Sequence, residues 1–157
     1  MTSTQPKKPQ GSKKAQAAAA RLAAVQAVYQ ILTNEQDAQS VLSEYKLHRL
    51  GKDIDGEAMV TPDGVLLEAV VTGVYDRMNA LEDAITSAFQ KAGKSKPAEP
   101  LLISILLCGA YELLAHLDID APLIVSDYLN VTHAFYEQGE AKLVNGILDT
   151  IKKAIRS

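Results

Sequence analysis

Apolar residues recur at spacings of three and four along most of the chain, and no segment sustains an apolar and polar alternation with a period of two. That pattern predicts helices. From Ala15 onward, Leu22, Val25, Tyr29 and Leu32 fall on one face, and alanines 15, 17, 18, 19 and 20 reinforce the helix by intrinsic propensity. A second helix is predicted over 38–50, with Asp37 as its N-cap, Gly51 as its C-cap, and Val41, Leu42 and Tyr45 facing inward. Residues 51–64 hold three glycines and the turn signature Thr61-Pro-Asp-Gly64, so a surface loop is expected there.

Leu67, Val70, Val74, Met78, Leu81, Ile85 and Phe89 then trace a nearly unbroken stripe. Asn79 followed by Glu82 has the form of a capping box, which divides the stripe into two helices. Residues 93–100 are a polar linker, and Pro100 is placed to start a helix running to about Leu117. This helix is apolar on nearly all sides and needs neighbours all round, so it is the expected centre of the fold. Its apolar run meets Glu112 and falls short of the roughly 20 residues that a membrane span takes. After residues 118–122 another helix should bury Val125, Leu129, Thr132 and Tyr136 or their neighbours and end at Gly139. Leu143, Val144, Ile147, Leu148, Ile151 and Ile155 mark the last helix, with Lys152, Lys153 and Arg156 where its dipole favours cations. Six or seven helices without a strand define the all-α class.

Composition refines this picture without changing it. A chain of 157 residues suits one domain with a core of Leu, Ile, Val and Ala, since it has two phenylalanines and no tryptophan. Cys108 is the single cysteine, so no internal disulfide framework is expected. No signal-like segment opens the chain, and a reducing cytoplasm fits best.

Charge adds the clue to a partner. The first 34 residues carry five basic residues, Lys7, Lys8, Lys13, Lys14 and Arg21, and no carboxylate; the remainder carries eleven basic and nineteen acidic residues. Such a split suits one end that meets a polyanion and a body that stays dispersed. Nucleic acid is the first polyanion to consider, because lysine and arginine on phosphates release condensed counterions. Residues 1–12 lack apolar periodicity after Met1, so the expected division is a flexible basic tail over 1–14 and one helical domain over 15–157.

Catalytic chemistry is sparse. Cys108 lies in the most apolar helix, where burial suppresses thiol reactivity. His48, His116 and His133 are scattered; Glu112 and His116 share a helical face, which suits a local hydrogen bond or ion pair better than a metal site lacking a third ligand. The carboxylates from Asp53 to Glu57 lack the spacing of a calcium loop, and no phosphate-binding glycine loop occurs. No enzyme, metal or cofactor is expected. Asn145 reads either as a local hydrogen-bonding residue or as a contact to a ligand, and Gly146 as an allowance for close helix packing. Tyr29, Tyr111 and Tyr128 read as core residues rather than base-stacking platforms.

Three blocks, Arg21-Leu-Ala-Ala-Val-Gln-Ala-Val-Tyr-Gln30, Gly109-Ala-Tyr-Glu-Leu113 and Lys142-Leu-Val-Asn-Gly-Ile-Leu-Asp149, occur in the order in which similar blocks occur in the NusB family of transcription antitermination factors, and the chain resembles that family from Arg21 to Asp149. The resemblance implies about seven helices in two packed subdomains and no enzymatic activity. It also implies binding of the boxA element of nascent ribosomal RNA together with ribosomal protein NusE, in a complex with other Nus factors and RNA polymerase. The same fold opens certain ribosomal RNA cytosine methyltransferases, and a chain of 157 residues suits the standalone factor. Carried over by position, Arg21, Lys142, Leu143 and Asn145 are the RNA-binding candidates, joined on charge and proximity by Lys13 and Lys14. Asp127 and Glu140 fall in a stretch similar to the NusE-facing region. Ala17 to Ala20 stand where many members have an arginine cluster, and Ile103 and Leu107 where related sequences often carry arginine. Both departures remove positive charge and point to dependence on the protein partner. The competing reading is a helical protein-interaction module without sequence-specific RNA binding, and a third is a small hydrolase using Glu112 and His116. No membrane contact is expected, and a homodimer is left open.

Overall fold

A computed structural model of the chain describes residues 11–48 and 60–156. Among these residues it has seven helices and no strand: α1 (Lys13–Asn34), α2 (Ala38–His48), α3 (Gly64–Asp76), α4 (Met78–Ala92), α5 (Pro100–Ala115), α6 (Ala121–Phe135) and α7 (Gln138–Ile155). The predicted Gly51 cap and the Asp53 to Glu57 carboxylates lie outside the described residues.

Local chemistry accounts for most boundaries. Ser12 accepts a hydrogen bond from the Ala15 amide at 3.1 Å, Asp37 from that of Ser40 at 2.7 Å, and Asp63 from those of Val65 and Leu66, each satisfying first-turn donors. Gly93, in the left-handed region at φ +66°, ends α4 as a glycine can without a side-chain penalty. The stripe from Leu67 to Phe89 is divided at Arg77, two residues before the expected capping box, and Asn79 lies inside α4. Gly139 does not end α6: Tyr136 does, and Gly139 lies in the first turn of α7. Lys13 and Lys14 already belong to α1.

Helix α5 packs against α1, α3, α4, α6 and α7, as its all-round apolar surface requires. α1, α2 and α3 pack on one another, while α4, α6 and α7 join α5 in a second group, and one continuous apolar core runs through both. Close approach is made at Gly73 and Gly109: a Cβ on Gly73 would fall 2.0 Å from the Tyr111 ring, and one on Gly109 would fall 2.9 Å from Leu148. Gly146, the glycine expected to allow such packing, has nothing within 4 Å of a built Cβ and faces open space.

The cation at the end of α7 serves a different helix from the one expected. Arg156 donates to the carbonyls of Leu113, Ile119 and His116 at 2.8 to 2.9 Å, and to that of Glu112 at 3.4 Å. It thereby gives the Leu113 carbonyl in the last turn of α5 a donor and ties that turn to the segment leading into α6.

Candidate nucleic-acid interface

Helix α7 carries three of the expected RNA contacts. Val144, Ile147, Leu148 and Ile151 are buried and hold the helix against α4, α5 and α6. Their spacing leaves Lys142, Asn145 and Gly146 exposed, with Leu143 half-buried against the core. Gly146 adds no side chain beside Asn145, and a Cβ there would meet nothing. This outward face offers a cation, an amide that both donates and accepts, and an apolar edge, the groups needed to hold a phosphate and read an exposed base. Glu140 is half-buried in the first turn of the same helix, where the dipole favours an acid.

Lys13 and Lys14 stand exposed in the first turn of α1, a turn that contains no acidic residue. α1 and α7 do not touch; both pack on α5 and α6, so the two cationic zones remain on separate helices. Lys7 and Lys8 lie outside the described residues.

Arg21 goes elsewhere. Its side chain is only 2% exposed, and its Nε and Nη2 donate to Glu112 at 2.8 and 2.9 Å while Nη1 donates to Asp127 at 2.8 Å. Tyr128 donates its hydroxyl to Glu112, and His116 Nδ1 lies 2.9 Å from the other oxygen of that carboxylate. Helices α1, α5 and α6 are thus tied at one point by a bidentate guanidinium and carboxylate pair. Arg21 has its guanidinium turned to two carboxylates and away from solvent, and Asp127, 8% exposed, faces Arg21.

Electrostatics agree with a structural role. Burial alone would lower the Arg21 pKa, but the hydrogen bonds and charge of Glu112, with Asp127 in support, raise it above the usual arginine range. Burial alone would raise that of Glu112, but the hydrogen bonds from Arg21 and Tyr128 and the arginine charge bring it below the usual carboxylate range. Burial pushes Tyr128 well up, as does the neighbouring Glu112 charge. Among the described residues every buried side-chain nitrogen and oxygen has a hydrogen-bond partner.

Glu112 and His116 make the local bond that their spacing suggested. Cys108 is buried, and burial raises its thiol pKa well above the ordinary value, which leaves little thiolate. Tyr128 is core, and Tyr111 is half-buried against Gly73 with its ring edge-on to His116. Tyr29, expected inside, is 41% exposed. Among the described residues no three His, Cys, Asp or Glu side chains are grouped to hold a metal ion, and no helix is long and apolar enough to cross a membrane.

Comparison with solved structures defines the class first. The fold matches that of T. maritima NusB with a TM-score of 0.70 over 92% of this chain and 93% of that one, at 21% identity, so the architecture is a NusB-like helical fold. Sequence then gives the family: the NusB family model matches residues 18–153. The transcription antitermination protein NusB of Allorhizobium ampelinum is 38% identical over 141 residues, 90% of this chain and 88% of its own length. That of Novosphingobium aromaticivorans is 37% identical over 139 residues, 88% of this chain and 94% of its own length. The chain belongs to the NusB family.

Proposed function

We propose that this protein is a transcription antitermination factor that binds the boxA element of nascent ribosomal RNA together with ribosomal protein NusE, and that the pair acts with other Nus factors to carry RNA polymerase past terminators. The observation that carries the reading is the outward face of α7, where Lys142, Asn145 and Gly146 stand exposed while the opposite face is locked into the core. Lys13 and Lys14 supply a second group of phosphate contacts from the start of α1. With Arg21 committed to the core and alanines at 17 to 20, the chain has fewer cations for RNA than its charge split promised, which supports shared recognition with NusE. Glu140 remains the candidate on the partner-facing side.

A fluorescence titration with boxA RNA and a scrambled RNA, with and without NusE, tests this. The reading expects a preference for boxA and tighter binding with NusE. Equal affinity for the two RNAs in both conditions would leave a helical protein-interaction module in its place.

A further inference from the structure

Lys13 and Lys14 occupy a costly position. A helix N-terminus carries a partial positive charge, so two cations in the first turn oppose the dipole, and no acidic residue there offsets them. Such an end should fray, yet it is tied down at several points. The Ser12 hydroxyl caps the Ala15 amide, and the Gln16 amide donates to the Ser12 carbonyl at 2.8 Å. The Gln16 side-chain amide reaches back to the Gly11 carbonyl at 2.9 Å, while the Gln16 carbonyl accepts the Asp63 amide at the start of α3 at 3.0 Å. Gly11 holds φ +92°, a conformation that favours glycine, and a Cβ there would meet Val60 at 3.0 Å.

We propose that Gly11 and Gln16 are positioning residues for Lys13 and Lys14. By holding the Gly11–Ser12 segment onto the first turn of α1, they present the two lysines to RNA phosphates as a fixed pair. Neither residue supplies a charge of its own. The gain is in ordering: side chains on a settled turn lose less freedom on binding than side chains on a fraying one. The inference rests on the reading of this helix end as RNA-facing.

The test is a titration of the full chain with short single-stranded boxA RNA at several salt concentrations, for wild type, Gly11→Ala, Gln16→Ala, and each of these in a Lys13→Ala/Lys14→Ala background. Gly11→Ala should weaken binding by about threefold to tenfold and Gln16→Ala by less, with thermal melting unchanged. In the lysine-free background neither should weaken it further, because the pair they position is gone. Wild-type affinity in both single variants overturns the positioning role and leaves RNA binding standing. Equal losses with and without the lysines also overturn it, since the two residues would then act elsewhere. A wild-type protein that binds no RNA overturns both this role and the reading beneath it.

Discussion

Arg21 and Lys142 each open a block that resembles the family, and each is a cation in a helix, yet the fold sends them to opposite environments. Arg21 meets two carboxylates among buried helices, whereas Lys142 stands exposed on α7 on the same face as Asn145 and Gly146. A cation's sequence position says little about what it serves; the residues three and four away decide it. Arg21 shares a helix face with Ala24, Val25 and Val28, all buried, and is carried inward with them. Lys142 has Asn145 and Gly146 at those distances and stays out.

The sharpest way to break this contrast is to remove one partner of the buried group. Arg21→Ala or Glu112→Ala leaves buried charge uncompensated and should cost about 3–5 kcal/mol, lowering Tm by about 10 °C or more in a thermal melt. A loss confined to RNA affinity with Tm unchanged would return Arg21 to the binding surface. Acid acts on the same group. Because the folded Glu112 pKa is lowered, its pairing contributes fully above the unfolded carboxylate range and is lost as pH falls through the folded value. Tm should therefore drop as the pH falls below about 5, and the Glu112→Gln protein, less stable at neutral pH, should show the flatter decline.

Arg156→Ala removes the guanidinium from the carbonyls of Leu113, His116 and Ile119 around the turn from α5 into α6 and, at this half-buried site, should cost about 1–2 kcal/mol by urea denaturation. Smallest in stability is the exposed side of the contrast. Lys142→Ala with Asn145→Ala should leave stability within about 0.5 kcal/mol of wild type, while boxA affinity falls by about tenfold.

Much of the fold was legible because apolar spacing reports helix faces directly. The stripe from Leu67 to Phe89 and the central position of α5 follow from it. The inward face of α1 was harder, because alanine is nearly neutral in such patterns. Leu22, Val25, Tyr29 and Leu32 suggested one face, but the buried residues are Ala20, Arg21, Ala23, Ala24, Val25, Ala27, Val28 and Ile31, which leaves Tyr29 half outside. Counting the alanines as packing surface, which lets helices approach closely, would have turned Arg21 inward. Asp127 likewise has Ile124 and Val131 three and four residues away on its face, a buried setting its charge disguised. The pairing of Arg21 with Glu112 and Asp127, 91 and 106 positions away in sequence, depends on how helices cross and has no local signal.

We propose that Arg21 holds the fold while α7 faces the RNA. Side-chain NMR of the protein titrated with boxA RNA and NusE tests it most directly. The account predicts that the Arg21 Nε–H resonance is protected from solvent exchange and stays in place, while the Asn145 side-chain amide shifts. An Arg21 resonance that moves with RNA while Asn145 remains still would contradict it.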